Sequence, residues 1–547
     1  MTVRGLAQRV RVAQFSRPTL ILLAAIWLVG FGNLPFWRAL WRSEDGLQAG
    51  NVLFLLTLPL AALAWTHVTL LALAWGRATK VVLAIVLLAS AAASYFTCAY
   101  GVLVDASMVA NVIQTHVAEA RDLAGWSMGV WLAAFGGVPV VLVARARATA
   151  DPFLRELGRK SIHALAAVFC LTAILVLNYQ HYASMLRNHR ELRLMLVPHN
   201  IVAAVHGYVK QRLATPRTLQ PMGVDARRLT ATASPAKPLL AVLVVGETAR
   251  ADNFSLNGYA RPTNPELARQ NVLSFTNVAA CGTSTAVSLP CMFSGVGRDH
   301  YTDGIALRRE GLLDVLQHAG IKVLWRDNNS GCKGVCARVP HEDLSRANSA
   351  EWCRDGECYD DILLQGLQGY IDGLQDDAVI VLHMVGSHGP AYFRRYPSEA
   401  AAFAPACQTT ELGRCSRESI VNAYDNSIRY TDHVLSELIA LLERNARRFD
   451  TAMLYVSDHG ESLGENGLYL HGVPYALAPR EQIHVPMIAW LSDGTYDRLS
   501  LDRACLAARH ADALSHDNFF HSVLGLAMVE TSIYDSARDL FHACRRS

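Results

Sequence analysis

The sequence predicts a two-part protein: an N-terminal domain of five transmembrane helices, followed by a C-terminal α/β domain with a mostly parallel sheet. Three observations lead to this fold class. The chain of 547 residues is 52% hydrophobic but only 18% charged, its long apolar stretches all lie in the first third, and short apolar runs alternate with helical intervals after residue 238. This composition excludes disordered, collagen-like and small disulfide-scaffold proteins. The net charge of +3, without dense basic tracts, disfavours nucleic-acid binding.

Five apolar stretches are each long enough to cross about 30 Å of hydrocarbon as a helix. They cover residues 19–36, 52–75, 81–104, 126–143 and 162–179. Buried helices of a soluble core are the alternative, but a succession of this many charge-free runs is typical of a membrane domain. A cleaved signal peptide is disfavoured because further spans follow the first one directly. Residues 1–180 are therefore predicted to form the transmembrane domain.

The basic residues between the spans predict the orientation. Eleven lie in the N-terminal arm and in the loops after the second and fourth spans: Arg4, Arg9, Arg11, Arg17, Arg77, Lys80, Arg145, Arg147, Arg155, Arg159 and Lys160. The opposite loops carry only Arg38, Arg42 and Arg121. This bias indicates a cytoplasmic N-terminus. With five crossings, everything after the last span lies on the outer side of the membrane.

Residues 181–238 are predicted to connect the two domains. The first half, up to residue 213, is basic and amphipathic with a break at Pro198, which indicates helices lying at the membrane surface. The second half, residues 215–238, carries four prolines and indicates a linker.

Ten of the twelve cysteines lie after residue 280, and most form close pairs: Cys281/Cys291, Cys332/Cys336, Cys353/Cys358 and Cys407/Cys415. Zinc knuckles are the alternative for such pairs. However, the intervals contain no histidine at ligand spacing, and the predicted topology places them in an oxidising compartment. They are predicted to form local disulfides, with Cys505 and Cys544 as a fifth.

Residues 239–547 have an α/β pattern. Continuous apolar runs at 239–245, 321–325, 378–382, 452–456 and 485–490 are typical of strands buried on both faces of a parallel sheet. Four of these runs end directly in polar residues, at 246–248, 326–329, 383–388 and 457–461. Because open α/β sheets bind ligands at the carboxyl ends of their strands, these clusters are predicted to converge on one site.

The residues near these strand ends suit a metal ion. Carboxylate and imidazole groups come from Glu247, His388, Asp458, His459 and His471. Mixed ligands of this kind favour zinc, with manganese as the alternative. Each residue taken singly also fits an ordinary cap or a satisfied polar group, so the prediction depends on their shared position.

A nucleophile is expected in the hydroxyl-rich segment 281–291. Thr283, Ser284 and Thr285 precede a predicted helix, whose N-terminal N–H groups and dipole favour an anion. Contact with a metal ion would lower the pKa of the hydroxyl and let it attack phosphorus. Helix capping is the simpler alternative. Residue chemistry alone does not choose among the three hydroxyls.

Five motifs in this domain are long and specific: GETAR at 246–250, NGYARPT at 257–263, CGTSTA at 281–286, SHGP at 387–390 and SDHGESLGE at 457–465. They closely resemble the EptA/MCR-type phosphoethanolamine transferases, a membrane-anchored branch of the alkaline phosphatase/sulfatase superfamily. The resemblance extends over essentially the whole chain. It implies an alkaline-phosphatase/sulfatase-like C-terminal domain in the periplasm, anchored in the inner membrane of a Gram-negative cell.

The resemblance also implies residue roles. Thr285 would be the nucleophile, and the principal zinc ion would be held by Glu247, Thr285, Asp458 and His459. His388 and His471 match positions that contact the phosphoryl group or a second zinc ion. The positions that match substrate-binding residues of the family are Asn111, Thr115, Glu119, Asn329, Ser330 and Lys333. Glu461 would act nearby, either as a further substrate-binding residue or as a support for the residues that do bind.

Four of these substrate positions also have an interpretation that comes from the residues themselves. Asn111, Thr115 and Glu119 recur every four residues in the loop between the third and fourth spans, so they are predicted to share one helix face at headgroup level. There the Glu119 carboxylate would suit an ethanolamine ammonium, and a solvated helix face is the alternative. Lys333 would neutralise phosphate charge, and a solvated loop lysine is its alternative.

The activity implied by the resemblance is a two-step transfer. Phosphatidylethanolamine would donate phosphoethanolamine to Thr285 with release of diacylglycerol, and a lipid A phosphate would then accept it. The added amine would lower susceptibility to polymyxin and cationic peptides. A lipopolysaccharide core sugar or a periplasmic glucan is the alternative acceptor. The expected partners are the donor lipid, lipid A and membrane lipids, with no nucleic acid, and the protein is expected to be a monomer.

Two other classes of function use the same scaffold. A sulfatase, a phosphodiesterase or a glycerol-phosphate transferase is one alternative, but the segment around Thr285 lacks the Cys/Ser-x-Pro-x-Arg motif of sulfatases. A non-catalytic envelope protein is the other. It would not need a candidate residue at every metal and nucleophile position, so a transferase is favoured.

Overall fold

The computed structural model describes residues 14–42, 52–115, 117–149, 151–179, 181–182, 185, 189–213, 218–229 and 237–546. The chain forms two compact units. Residues up to Val109 together with Ala124–Gly207 make the membrane unit, and Ala110–Leu123 together with Tyr208–Ser547 make the C-terminal unit. The basic arm with Arg4, Arg9 and Arg11, and parts of the predicted linker, lie outside the described residues.

The membrane unit is helical. Its helices are α1 (Arg17–Trp27), α2 (Leu34–Arg42), α3 (Val52–Leu73) and α4 (Thr79–Tyr100). The chain then passes through α5 (Ala106–Gln114) and α6 (Val117–Leu123), of which Ala110–Leu123 belongs to the C-terminal unit. The helices that follow are α7 (Trp126–Trp131), α8 (Val138–Arg145), α9 (Phe153–Leu177), α10 (Arg190–Met195) and α11 (His199–Leu213). One π-helical segment, Leu28–Gly32, follows α1, and another, Leu132–Gly137, joins α7 to α8.

The described helices supply the predicted spans. By length and apolar composition, four of them can cross a membrane: Phe54–Leu73, Gly76–Tyr100, Trp126–Arg145 and Phe153–Leu177. A fifth span results when Arg17–Gly32 and Leu34–Arg42, which are bent by 48° from each other, count as one. Helix α9 begins nine residues before the predicted start at 162, because hydropathy marks the apolar part of a helix and not its charged end.

The bend between α1 and α2 has a local cause. Pro35 lacks a backbone N–H and cannot continue the hydrogen-bond ladder. Asn33 replaces that ladder with side-chain bonds: its Nδ2 donates to the carbonyls of Leu28 and Val197, both at 2.9 Å, and its Oδ1 accepts from the Val197 N–H at 2.8 Å. The side chain therefore ties the bend to the segment between α10 and α11.

The C-terminal unit is built on an eight-stranded sheet. Its strands are β1 (Leu239–Gly246), β2 (Leu273–Ala279), β3 (Lys322–Asp327), β4 (His341–Asp343), β5 (Ala378–His383), β6 (Asp450–Ser457), β7 (His484–Leu491) and β8 (Leu514–Ser515). The order across the sheet is β8-β2-β7-β6-β1-β5-β3-β4. All neighbours are parallel except β7, which is antiparallel to β6 and β2. The predicted mostly parallel sheet is confirmed, and all five predicted strands belong to it.

Helices cover the sheet. They are α12 (Thr285–Ser294), α13 (Leu312–His318), α14 (Leu367–Asp372), α15 (Arg417–Asn445), α16 (Arg480–Ile483), α17 (Asp493–Arg498), α18 (Arg503–Ala508) and α19 (His516–Leu526). Alternate residues of β1 pack with α12, α13 and α19 in one apolar core, and every residue of the strand is buried. Burial on both faces explains why the run is continuously apolar.

Five disulfides lie in the C-terminal unit: Cys281–Cys291, Cys332–Cys336, Cys353–Cys358, Cys407–Cys415 and Cys505–Cys544. The pairs are those predicted from the cysteine spacing, so none of these residues is free to form a zinc knuckle. Cys353–Cys358 closes a hairpin of two-residue strands, Cys353–Arg354 and Glu357–Cys358. Similar short pairs join Arg227–Arg228 to Val529–Glu530 and Ser462–Leu463 to Tyr469–Leu470.

Candidate metal and nucleophile site

The four polar clusters predicted at strand ends meet at one edge of the sheet. Strands β6, β1, β5 and β3 are consecutive neighbours and run parallel, so their carboxyl ends lie side by side. Ser457 at the end of β6 pairs with Gly246 of β1, and His383 of β5 pairs with both Val245 and Asp327. The residues that follow each strand therefore lie close together despite their separation in sequence.

Three buried side chains form a cluster at this edge. Glu247 follows β1, while Asp458 and His459 follow β6, and all three are fully buried. One ligand atom from each lies within 4.8 Å of the others. His459 Nε2 is 3.2 Å from Glu247 Oε1 and 3.5 Å from Asp458 Oδ2. Two carboxylates and an imidazole at such spacing are a donor set that suits zinc.

The hydrogen bonds leave the ligand atoms of this cluster available. His459 Nδ1–H donates to the Gly460 carbonyl at 2.9 Å, which turns Nε2 toward the carboxylates. Asp458 Oδ1 accepts from the His459 N–H at 2.7 Å. Within the described part of the chain, Glu247 Oε1 and Asp458 Oδ2 are buried oxygens that accept no hydrogen bond. Buried oxygens of this kind need a positive partner, so the residues fit a divalent cation.

The pKa values of His459 and Asp458 also indicate that the cluster needs a positive charge. Burial lowers the pKa of His459, but the Asp458 and Glu247 carboxylates outweigh burial and raise that pKa to about 10. Burial also raises the pKa of Asp458, and the neighbouring Glu247 charge raises it further. The two carboxylates thus draw a proton onto the imidazole, and a bound cation would satisfy them instead.

Thr285 is the hydroxyl that faces the cluster. It is the first residue of α12, after the N-cap Ser284. Its Oγ1 donates to Glu247 Oε2 at 2.9 Å and lies 3.4 Å from His459 Nε2. Thr283 points elsewhere, since its hydroxyl donates to the Val473 carbonyl at 2.7 Å. Of the three hydroxyls that residue chemistry left open, that of Thr285 is the one in contact with Glu247 among the described residues.

The loop after β3 supplies the next contacts. Asn329 Nδ2 donates to Glu247 Oε2 at 2.7 Å and to the Met384 carbonyl at 2.8 Å. Lys333 Nζ donates to the carbonyl and the hydroxyl of Ser330 at 2.9 and 2.7 Å. The structure thus brings the three polar residues of this loop together, with Asn329 in direct contact with the buried cluster.

His471 and His388 lie beside the cluster. The ring centroid of His471 is 4.4 Å from that of His459 and 5.3 Å from that of His388. Glu461 is fully buried, accepting from Tyr392 Oη at 2.6 Å and binding His471 Nδ1 at 2.8 Å. Both oxygens of Glu461 are engaged by protein groups, so its contacts are those of a residue that orients His471. This is one of the two roles, supporting or substrate-binding, that the sequence analysis allows for Glu461.

Known proteins are similar to this chain in both of its parts. Family models match residues 61–213 as "Phosphoethanolamine transferase EptA/EptB" and residues 240–529 as "Sulfatase". The chain is 43% identical over 539 residues to the phosphoethanolamine transferase EptA of Escherichia coli K12, covering 97% of this chain and 98% of the relative. It belongs to the EptA family of phosphoethanolamine transferases.

Further relatives agree with this assignment. The phosphatidylethanolamine transferase Mcr-1 of Escherichia coli is 38% identical over 488 residues, which cover 87% of this chain and 90% of Mcr-1. The solved structure of EptA, a lipooligosaccharide phosphoethanolamine transferase from Neisseria meningitidis, is 36% identical with a TM-score of 0.94. That match covers 98% of this chain and all of the solved chain. The EptA-like architecture and the sulfatase-like fold predicted from the sequence are confirmed.

One predicted group of substrate residues is placed differently by the structure. Asn111 lies on α5, which ends at Gln114, and Glu119 lies on α6, which begins at Val117, so the three residues do not share the face of one helix. The Thr115 hydroxyl donates to the Asn111 carbonyl at 2.8 Å, the oxygen that a continuing helix would use. The side chain of Glu119 lies outside the described residues.

Supporting residues of the site were not selected from the sequence. Asp360 follows no predicted strand, yet its carboxylate accepts from Asn328 Nδ2 and from the N–H groups of Val385 and Gly386, all at 2.9 Å. It joins the loops after β3 and β5. Gly386 has φ +51°, and a Cβ there would lie 2.7 Å from the Glu247 carbonyl oxygen, so only glycine permits this approach.

His516 is a second supporting residue that sequence reasoning missed. It is buried, its Nε2–H donates to the Ser457 carbonyl at 2.9 Å, and its Nδ1 accepts from the Cys281 N–H at 3.1 Å. The ring thus links the end of β6 to the segment that carries Thr285. A histidine at the start of a helix, directly after the capping Ser515, gave no sequence signal beyond that of an ordinary first-turn residue.

Proposed function

We propose that this phosphoethanolamine transferase moves phosphoethanolamine from phosphatidylethanolamine to a phosphate of lipid A through a covalent intermediate on Thr285. The observation that carries the proposal is the contact of Thr285 Oγ1 with Glu247 Oε2 and its approach to His459 Nε2 at the start of α12. A hydroxyl held between a carboxylate and an imidazole, at the positive end of a helix dipole, is suited to act as an alkoxide nucleophile.

In the first step, Thr285 Oγ1 forms a bond to phosphorus and the bond between phosphorus and the diacylglycerol oxygen breaks. The proton lost by Thr285 is balanced by the proton that the leaving diacylglycerol oxygen takes up. The phosphoryl oxygens carry the negative charge of the transition state. The N–H groups at the start of α12 and the ammonium of Lys333 stabilise that charge. Asn329 holds Glu247 Oε2 in place through the reaction.

A zinc ion held by Glu247, Thr285, Asp458 and His459 would lower the pKa of the Thr285 hydroxyl and stabilise charge on the phosphoryl oxygens. His388 and His471 would contact the phosphoryl group or hold a second ion. Asn111, Thr115, Glu119 and Ser330 are proposed to bind the donor lipid, with a carboxylate available for its ammonium.

In the second step, an oxygen of a lipid A phosphate attacks phosphorus and Thr285 Oγ1 leaves and regains a proton. The product carries an additional amine, which reduces the negative charge of the cell surface and weakens binding of polymyxin and other cationic peptides. The proposal places the protein in the inner membrane, with its C-terminal unit in the periplasm and zinc as its cofactor, acting as a monomer.

The intermediate can be tested without an acceptor. The purified, zinc-loaded full-length protein is incubated with phosphatidylethanolamine, digested, and analysed by mass spectrometry of the peptide that contains 283–285. We expect one phosphoethanolamine group on Thr285 and release of one diacylglycerol per adduct. Ser284→Ala is the matched control, since the Ser284 side chain makes no capping bond, and it should retain the adduct. An adduct on Thr283 or Ser284, or no adduct, would contradict the proposal.

A further inference from the structure

A cavity of about 420 Å³ in the C-terminal unit adjoins the Glu247 and Thr285 site. Asn329 belongs to both: its Nδ2 contacts Glu247 Oε2, and the residue lines the cavity together with Ser330 and His388. A molecule in the cavity would therefore lie next to the nucleophile. The volume is sufficient for the headgroup of a substrate and not only for water.

Three arginines line the same cavity. Arg121 comes from Ala110–Leu123, which packs as part of the C-terminal unit, Arg346 comes from the loop after β4, and Arg395 follows β5. The hairpin closed by Cys353–Cys358 completes the lining and contributes two carboxylates, Asp355 and Glu357.

The positive charge of Arg395 is already neutralised. Its side chain is 3% exposed and lies 3.4 Å from Asp122 Oδ2 and 3.2 Å from Glu357 Oε2, and its Nε donates to the His388 carbonyl at 2.9 Å. Arg394 also pairs with Asp122. These contacts hold Arg395 in the wall of the cavity, and the ion pair with Arg395 neutralises the charge of Glu357.

Arg121 and Arg346 differ from Arg395. Both are exposed, and within the described residues neither guanidinium has a carboxylate partner or a hydrogen bond to the protein. Asp355 is the remaining carboxylate of the lining that has no ion pair among those residues. Among the described side chains, two guanidinium groups without an ion pair therefore stand against one such carboxylate, which makes this part of the cavity positively charged. A guanidinium binds phosphate through two parallel hydrogen bonds.

We propose that Arg121 and Arg346 bind a phosphate of the acceptor, at a distance from the phosphate that receives the phosphoethanolamine group. This inference rests on the proposed function and deepens it by assigning an acceptor site. The donor lipid has one phosphate, and that phosphate must lie at Thr285 for the reaction to occur. A second phosphate-binding place beside the nucleophile therefore serves a molecule with at least two phosphates, such as a bisphosphorylated glycolipid.

Transfer kinetics with the purified full-length protein test this assignment. Arg121→Ala, Arg346→Ala and the double variant are compared with wild type on bisphosphorylated and monophosphorylated lipid A. For the bisphosphorylated acceptor we expect the KM to rise about tenfold per arginine, as for loss of a charge-assisted hydrogen bond. The donor KM should change less than the acceptor KM. Arg346→Lys should recover part of the loss, and Arg269→Ala is the matched exposed control outside the cavity.

Three results would overturn the assignment: an unchanged acceptor KM in the double variant, an equal loss with both lipid A forms, or a rise in the donor KM instead, which would make the arginines donor-phosphate ligands. Failure of the proposed function is separable, because wild type and Arg269→Ala would then modify neither form of lipid A. In that case, wild type and the double variant are titrated with glucose 1,6-bisphosphate to test whether the two arginines bind phosphate. Weaker binding to the double variant supports the site, and equal binding rejects it.

Discussion

Thr285 Oγ1 donates a 2.9 Å hydrogen bond to Glu247 Oε2, although 38 residues and strand β2 separate the two side chains in sequence. The contact exists because β1 ends at the edge of the sheet where α12 begins. It makes Glu247 a partner of the proposed nucleophile as well as a candidate metal ligand. The same oxygen accepts from Asn329, so one carboxylate connects the hydroxyl, the cation site and the cavity.

Replacing Glu247 by a side chain of the same size should impair metal binding without preventing the protein from folding. Glu247→Gln keeps the size of the side chain but removes one of two negative charges that face a cation, so we expect loss of bound zinc and at least about a hundredfold loss of transfer activity. Metal analysis of the purified protein and a transfer assay measure both. The exposed Glu443→Gln is the matched control. A Glu247→Gln protein with full zinc content would show that the cluster is not the metal site.

Removal of the metal should stop the reaction reversibly. Treatment with a chelator is expected to abolish adduct formation on Thr285, because the hydroxyl then loses the charge that lowers its pKa. Adding zinc back should restore the adduct, and magnesium should not, since the ligand set contains an imidazole. Mass spectrometry of the Thr285 peptide gives the readout. Undiminished adduct in metal-free protein would reject a metal-assisted attack.

His516 should make stability depend on pH. Burial lowers the pKa of His516 to about 4, and both ring nitrogens are bonded in the neutral form. Since the unfolded pKa is about 6.5, the unfolded chain binds the proton more readily between these values. The contribution of the neutral His516 side chain to the free energy of unfolding is thus complete above pH 6.5 and is lost as pH falls toward 4. It amounts to about 3 kcal/mol.

Thermal unfolding of the full-length protein between pH 4.5 and 7 measures this effect. The midpoint temperature of wild type should rise with pH, and His516→Asn should be less stable at pH 7 with a shallower rise. His510→Gln, at an exposed histidine, is the control and should follow wild type. If the His516 variant keeps the full pH dependence, another group is responsible for it.

The Cys281–Cys291 disulfide encloses Thr285 in a loop with a sequence separation of 10. Replacing both cysteines by serine should lower the free energy of unfolding by about 2–3 kcal/mol, because a loop of this length is no longer closed in the unfolded chain. The segment that carries Thr285 also loses a restraint, so kcat should fall with little change in the donor KM. Cys98→Ser, at a cysteine outside any disulfide, is the control for denaturation and kinetic measurements. Unchanged stability of the double variant would contradict this role.

The sequence predicted the parts of the fold that depend on long, uniform patterns. Strands β1, β3, β5, β6 and β7 each contain a largely apolar run, and the polar residues that follow β1 and β6 led to Glu247, Asp458 and His459. Strand β2 was not predicted, because Ser274, Thr276 and Asn277 interrupt its apolar residues and only Phe275 and Val278 are buried, so it contains no continuous apolar run.

Contacts that depend on where a helix ends or a loop folds back could not be predicted. The four-residue spacing of Asn111 and Thr115 fits a helix, but it carries no information that α5 ends at Gln114. Asp360 and His516 act through backbone N–H and carbonyl groups of distant loops, which have no signature in residue type. That Arg121 and Arg346 have no ion-pair partner among the described residues likewise follows from packing alone.

The most direct test of the central claim is mass spectrometry of lipid A from a polymyxin-sensitive Gram-negative host that expresses wild type, Thr285→Ala or Thr285→Ser. We predict a mass increment of one phosphoethanolamine group with wild type, a reduced amount with Thr285→Ser, and at least about a 10³-fold loss with Thr285→Ala. Polymyxin susceptibility should follow the same order. Unmodified lipid A from well-expressed wild type would reject lipid A as the acceptor, and an undiminished increment with Thr285→Ala would reject Thr285 as the nucleophile.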